Sequence, residues 1–143
     1  MARRKHIMVA SHRTKIEVPL KQTLDHWLGQ SKHWQALFAI IALTVMFLST
    51  TERDYAVGAA SNDKINHAIA FLALALTACI GWPKRVRSAV ILVMGYGLLI
   101  EVIQSFLPYR QFSLLDWVAD IVGAVLGMLV AAALMRNRRS SPP

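Results

Sequence analysis

The stretch YGLLIEVIQSFLPYRQFSLLDWVAD, residues 96–120, decides the fold, because it sets ionisable side chains into sequence apolar enough to cross a membrane. Apolar residues surround Glu101, Gln104, Arg110, Asp116 and Asp120. A charge in the hydrocarbon core costs about 3 kcal/mol even on the lenient insertion scale, so such residues face the interior of a helix bundle and find partners there. Proline ends helices, so the stretch predicts two membrane helices that are separated at Pro108 and face other helices.

The rest of the chain also has the composition of a membrane protein. Of its 143 residues, 55% are hydrophobic, and the mean hydropathy of +0.42 is too high for an ordinary soluble domain. The net charge of +8 does not indicate nucleic-acid binding, because the basic residues lie between and beyond the apolar runs. A single cysteine, Cys79, excludes an internal disulfide and a cysteine metal site.

Four apolar runs approach the roughly 20 residues that cross a bilayer. They lie at residues 34–50, 63–82, 88–107 and 114–135. We therefore predict an all-α, polytopic membrane protein with a four-helix bundle over residues 34–135. Basic tails precede and follow this bundle, at residues 1–33 and 136–143.

The distribution of lysine and arginine predicts the orientation. Of the sixteen, seven lie in the N-terminal tail, three between the second and third runs, and three after the fourth run. Because cytoplasmic loops are enriched in these residues, both termini are predicted to be cytoplasmic. Apolar residues of the N-terminal tail recur at helical spacing and predict a short helix on the inner membrane surface. They are Leu20, Leu24, Trp27 and Leu28.

This topology brings polar residues of three helices to one level of the membrane, at its outer face. They are Asp63, His67, Glu101, Gln104, Arg110, Asp116 and Asp120. Residues three or four apart share a helix face, and Glu101 is predicted to lie about 9 Å inside the end of its helix, too deep to cap one. We interpret these seven residues, the polar cluster, as a functional site, with a purely structural network as the alternative.

The charges of the polar cluster are unbalanced. Its four acids exceed the two positive side chains nearby, those of Lys64 and Arg110, and Asp116 and Asp120 oppose each other's ionisation from one turn apart. We therefore expect the cluster to retain a proton, bind a cation or receive a cationic group. In an enzyme, Asp63, His67, Glu101 and Asp120 could hold a divalent ion, but their spacing matches no standard motif, so no metal ligand and no cofactor is assigned.

Two patterns in the fourth run have local explanations. Ser113 followed by Asp116 is a capping-box pattern, so Asp116 is equally well explained as part of the helix N-terminus. Gly123 and Gly127 form a G-x-x-x-G row that permits close helix approach. We expect that contact within the bundle, with a homodimer through the same face as the alternative.

Three successive segments, DKINHAIAFLAL, YGLLIEVIQSFLPYR and SLLDWVADIVGAVLG, resemble the VanZ-like family of small multi-pass membrane proteins. The resemblance covers residues 63–134 and includes the polar cluster with Lys64, Pro108, Gly123 and Gly127. The first helix fits only in position and the N-terminal tail not at all, and many members have asparagine in place of Asp120. The resemblance implies a protein of the bacterial cytoplasmic (inner) membrane, related to one associated with resistance to the glycopeptide antibiotic teicoplanin.

These observations predict a membrane protein of the cell envelope whose outer-facing polar cluster binds a lipid-linked envelope precursor or a glycopeptide-like ligand. Membrane lipids would surround it. The alternatives are an enzyme acting on an envelope lipid, with Glu101 or His67 as general base, and a structural accessory subunit. A transporter is less well supported, because the inner halves of the four runs lack charged residues that would form a relay.

The predicted orientation places positions 110 and 136 on opposite sides of the membrane. In a Cys79→Ser background, an Arg110→Cys variant should react with an impermeant maleimide added to intact cells, because its loop faces outwards. An Arg136→Cys variant should react only after the cells are permeabilised. Reaction of position 110 from the cytoplasmic side alone would contradict this orientation.

Overall fold

The computed structural model describes residues 23, 26–52 and 60–139, which form four long helices without any strand. The helices are α1 (Ser31–Thr50), α2 (Ala60–Gly81), α3 (Val86–Gln104) and α4 (Leu114–Arg139). Each is long and apolar enough to cross a membrane. The all-α fold with four membrane spans is thereby confirmed, and the cytoplasmic position of the termini stays a prediction. Of the predicted surface helix, residues 23 and 26–29 are helical, and the others lie outside the described residues.

Helix α3 ends at Gln104, three residues earlier than its hydropathy predicts. The amides of Phe106 and Leu107 donate to the carbonyls of Ile103 and Gln104, three residues back, so the chain tightens into turns. Pro108 explains this end, because proline disfavours helical backbone in the residue before it and has no amide hydrogen to donate.

Each of the other helices extends beyond its predicted run at one end. Helix α1 begins at Ser31 instead of residue 34, and α2 covers Ala60–Gly81 instead of 63–82. Helix α4 continues to Arg139, four residues past the predicted end. Hydropathy marks only the part of a helix that suits hydrocarbon, whereas basic residues favour the C-terminal end of a helix such as α4.

Helix α2 occupies the centre of the bundle and packs most extensively against α4. Its buried side chains Phe71, Leu74, Ala75 and Ala78 make up most of the main apolar core. The small side chains of Ala75 and Ala78 allow neighbouring helices to approach α2 closely.

The glycine row of α4 lies directly on α2. A Cβ atom added to Gly123 would collide with the carbonyl oxygen of Ala68, and one added to Gly127 would collide with that of Leu72. Backbone therefore contacts backbone at these two positions. Because α2 of the same chain covers this face, we assign the glycine row to packing within the bundle and do not propose it as a contact between two copies.

Helix α1 lies at the edge of the bundle, and none of its residues is fully buried. Its outward face is apolar, with Leu43 72% exposed, as suits a surface against lipid. Side chains from α3 and the turn after it hold its C-terminal end. The Gln104 amide donates to the carbonyl of Ser49 (3.0 Å), and the Tyr109 hydroxyl donates to that of Thr50 (2.8 Å). These carbonyls belong to the last turn of α1 and have no partner within their helix.

Replacing Gly123 with leucine should lower the free energy of unfolding by about 3 kcal/mol, because the backbone of α2 cannot move away from the new side chain without breaking its packing. Reversible unfolding in detergent micelles would measure the change. Gly95→Ala is the matched control, since an added Cβ there meets nothing within 4 Å and alanine favours the helix by up to about 1 kcal/mol. A Gly123→Leu variant as stable as the wild type would contradict the contact between α2 and α4.

Candidate functional site

The polar cluster lies where α3 ends and α2 and α4 begin, which we call the Pro108 end of the bundle. An ion pair and a contact between a histidine and a carboxylate join α2 to α4 there. Lys64 Nζ lies 2.8 Å from Asp116 Oδ1, and His67 Nδ1 lies 2.9 Å from Asp120 Oδ1. The two helices run in the same direction. Lys64 and His67, about one turn apart on α2, therefore contact Asp116 and Asp120, one turn apart on α4.

The acids of α4 and its glycine row form one continuous stripe. Asp116, Asp120, Gly123 and Gly127 follow one another at intervals of four, three and four residues, so all of them face α2. The two acids bond side chains of α2, and the two glycines touch its backbone. The close approach at the glycines therefore brings His67 within hydrogen-bonding distance of Asp120.

Burial increases along this stripe away from the Pro108 end. The side chains of Lys64 and Asp116 are 46% and 14% exposed, whereas those of His67 and Asp120 are 11% and 0% exposed. A solvent-exposed pair contributes little because water competes for both charges. Removing one partner of a buried pair leaves the other charge uncompensated. Loss of one partner should therefore cost more stability at the His67–Asp120 contact than at the Lys64–Asp116 pair.

Glu101 is fully buried and caps the start of α4. Its Oε2 accepts a hydrogen bond from the backbone N–H of Ser113 at 2.8 Å. The prediction that Glu101 is too deep to cap a helix is wrong, because α3 ends at Gln104 and Glu101 thus occupies its last turn.

The capping-box pattern at the start of α4 is only half formed within the helix itself. Ser113 Oγ accepts the backbone N–H of Asp116 at 3.3 Å, as the pattern predicts. The reciprocal bond to the Ser113 N–H comes from Glu101 of another helix, and the carboxylate of Asp116 pairs with Lys64. Asp116 thus contributes to the ion pairs between helices, and Glu101 takes the place of the capping acid.

His67, Glu101 and Asp120 form a buried triad. One ring nitrogen and one oxygen from each carboxylate lie within 4.8 Å of one another. Glu101 Oε1 and Asp120 Oδ2 are buried and have no hydrogen-bond partner among the described residues. A second group with the same spacing, Asp63, His67 and Asp116, is less buried. His67 is the residue that the two groups share.

Gly97 makes room for the triad and was not predicted from the sequence. A Cβ added to it would lie 2.7 Å from Asp120 Oδ2 and 3.0 Å from the ring of Phe71. Gly97 precedes Glu101 by four residues, so both lie on the same face of α3. The position of Gly97 one helical turn before Glu101 was the only signal in the sequence that could have indicated that Gly97 makes room for the triad.

A cavity of about 390 Å³ lies beside the triad, between α1, α2 and the end of α3. Its polar side chains come from α2, from the last residue of α3, from the following loop and, through Ser49, from α1, and the other lining side chains are apolar. Besides Ser49, the polar lining residues are Asp63, Asn66, His67, Gln104 and Arg110. Asn66 is the member that sequence reasoning missed, since an exposed amide near a helix start carries no pattern of its own.

The structure therefore divides the polar cluster into two parts. Asp63, His67, Gln104 and Arg110 line the cavity, and the Arg110 guanidinium lies 3.8 Å from Asp63 Oδ2. The remaining members of the cluster, Glu101, Asp116 and Asp120, are outside the cavity wall. Only His67 belongs both to the cavity wall and to the buried triad.

The His67–Asp120 pair should show strong energetic coupling. His67→Ala and Asp120→Ala should each lower the free energy of unfolding by about 3–5 kcal/mol, because each leaves an uncompensated buried partner. The double variant should lose clearly less than the sum, as measured by unfolding in detergent micelles. Lys64→Ala with Asp116→Ala is the matched control, for which the more exposed positions predict nearly additive losses. Additive losses at His67 and Asp120 would show that the two side chains do not interact.

Known proteins resemble this chain over most of its length or over about half of it. The VanZ/LLP1 family model matches residues 9–136, so it includes the first helix and much of the N-terminal tail, which the resemblance over 63–134 had left out. The uncharacterized protein C11E3.10 of Schizosaccharomyces pombe is 37% identical over 84 residues, 54% of this chain and 51% of that protein, so the chain spans about half its length. No solved structure matches the chain. The match over nearly the full length shows that the chain belongs to the VanZ/LLP1 family.

Proposed function

We propose that this protein binds the polar head group of a lipid-linked ligand in the cavity at the Pro108 end, on the outer face of a bacterial cytoplasmic membrane. The observation that carries the proposal is the composition of the cavity wall. Within a bundle of apolar helices, a space of about 390 Å³ is bordered by several polar and charged side chains together with apolar ones. Ligand sites of this size commonly combine an apolar wall with a few oriented polar groups.

The position of the cavity favours a lipid. Its wall includes Ile69 and Leu48, which are 60% and 39% exposed on the surface that suits hydrocarbon. A ligand in the cavity would therefore border the acyl chains of the membrane. An acyl or polyprenyl chain would lie along this outer surface while its head group occupies the polar side.

The polar side supplies both hydrogen-bond donors and an acceptor. Arg110, Asn66 and Gln104 can donate hydrogen bonds, and Asp63 can accept them. This combination suits a head group with hydroxyl or amide groups and one phosphate, because guanidinium binds phosphate oxygens in a forked geometry. The neighbouring carboxylate of Asp63 makes a multiply charged anion a poorer ligand than a head group that also carries donors.

The similarity to a yeast protein favours one class of ligand over another. A protein of S. pombe shares sequence with this chain, which favours a lipid-linked saccharide or lipid phosphate, a chemistry common to bacteria and yeasts, over a glycopeptide antibiotic. A contribution to glycopeptide resistance would then follow indirectly, through binding of the lipid-linked cell-wall precursor that such antibiotics recognise.

One observation favours catalysis as a second candidate. His67 borders the cavity while its Nδ1 contacts the buried carboxylate of Asp120, and a histidine oriented by a carboxylate is a common general base. The histidine would then remove a proton from a hydroxyl or a water molecule beside the bound head group. Release of product from a bound lipid-linked substrate would distinguish this candidate from binding alone.

Native mass spectrometry of the detergent-purified protein tests the proposal. A polyprenyl phosphate and a lipid-linked disaccharide should each give a complex of one lipid per chain, and teicoplanin should not. Arg110→Gln should weaken lipid binding at least tenfold, about 1.4 kcal/mol, because it removes the forked donor. Arg87→Gln is the matched control, since Arg87 is exposed at the opposite end of the bundle.

Two results would contradict the proposal. The first is the absence of a complex with either lipid at concentrations where the wild type is folded. The second is an equal loss of binding in the Arg110→Gln and Arg87→Gln variants, which would indicate attraction to net positive charge instead of recognition in the cavity.

A further inference from the structure

We infer that His67, Glu101 and Asp120 form a binding site for one divalent transition-metal ion. The three residues come from α2, α3 and α4, and one nitrogen and two oxygens from them lie within 4.8 Å of one another. Bonds to Zn²⁺ and similar ions are about 2.0–2.3 Å long, so two ligand atoms of one ion are up to about 4–4.6 Å apart, and separations of this order are those of the ligands of a single ion. This inference does not depend on the lipid proposed above.

The buried oxygens of the triad supply independent support. Glu101 and Asp120 are both 0% exposed, and each has one carboxylate oxygen without a hydrogen-bond partner among the described residues. Native structures rarely leave a buried oxygen unsatisfied. Asp120 Oδ2 lies against Gly97, on the face of α3 that also holds Glu101. A metal ion would satisfy both carboxylates together, which the surrounding apolar side chains cannot do.

Charge balance favours a divalent ion over a proton on His67. Two ionised carboxylates within an apolar bundle carry a charge of −2, and protonated histidine would neutralise only half of it. A divalent ion with neutral His67 gives a total of zero, and burial in a membrane penalises any residual charge. A proton shared between Glu101 and Asp120 is the competing explanation that the experiment below must exclude.

The donor set indicates the kind of metal. Mg²⁺ and Ca²⁺ prefer oxygen ligands alone, whereas imidazole with carboxylates suits Zn²⁺, Mn²⁺, Fe²⁺ and Co²⁺. Three protein ligands leave a coordination position for water or a ligand atom. Because His67 also borders the cavity, the ion would lie one side chain away from a head group bound there.

A supporting contact orients one of the ligands. Glu101 Oε2 is held by the backbone N–H of Ser113 at 2.8 Å, which restricts rotation of the carboxylate. Hydrogen bonds of this kind typically improve metal affinity by about ten- to a hundredfold, because they fix the direction of the ligand. The start of α4 thus both completes a helix cap and positions a metal ligand.

The spacing in the sequence does not indicate this site because its ligands are distributed over three helices. Metal motifs are recognised when two ligands lie a few residues apart on one element. Here each helix contributes one residue, and only the packing of α2 against α3 and α4 brings the three together.

Metal content of the purified full-length protein tests the inference. After chelator treatment in detergent, dialysis against Zn²⁺, Mn²⁺ or Co²⁺ should leave about one ion per chain, and Mg²⁺ should not compete. Bound Co²⁺ should show the visible absorption of nitrogen and oxygen coordination, and Zn²⁺ should displace it. Glu101→Gln and Asp120→Asn should each weaken binding about a hundredfold or more, beyond what loss of a merely orienting partner produces.

Asp116→Asn is the matched control, because Asp116 belongs to the less buried group and not to the triad; this variant should bind the ion as the wild type does. Wild-type protein that retains none of the three ions would overturn the inference whether or not the variants fold. So would loss of the ion in Asp116→Asn with retention in a folded Glu101→Gln variant. Because no lipid is present, these results are independent of the ligand proposed for the cavity.

Discussion

The contact between the backbones of α2 and α4 is the constraint on which the rest of the site depends. Gly123 and Gly127 leave no side chain between the helices, so the carbonyls of Ala68 and Leu72 approach α4 directly. Helices in lipid associate through close packing and polar contacts, since hydrocarbon removes most of the hydrophobic driving force. The same approach positions His67 against Asp120, so packing and pairing stabilise each other.

Helices α1 and α3 add the remaining residues of the triad and of the cavity. Helix α3 adds Glu101 to the pair, and its Gly97 provides the space that the Asp120 carboxylate occupies. Its last residue, Gln104, binds the end of α1. Helix α1 in turn contributes part of the apolar wall of the cavity. An ion pair, a helix cap and a glycine thus position the acidic side chains at this end of the bundle.

The two proposed sites meet at His67. On one side lies a cavity with donors, a carboxylate and an apolar border suited to a lipid-linked head group; on the other lie the two buried carboxylates of the triad. A change at either site would alter the charge or orientation of this imidazole, because one side chain serves both. The VanZ/LLP1 family membership identifies the kind of protein, and His67 is the residue that the two proposed sites share.

The sequence by itself determined the four membrane helices and the convergence of polar residues at one end, because hydropathy is local and short connections between antiparallel helices leave little freedom. It also predicted the role of Ser113, since caps depend on neighbouring residues. Only the tertiary structure showed that the cavity and the triad are separate, and that Gly97 and Asn66 belong to this end of the bundle. It also showed that Glu101 caps the start of α4. These features depend on how each helix is rotated and how closely it approaches its neighbour, and side chains from distant positions decide both.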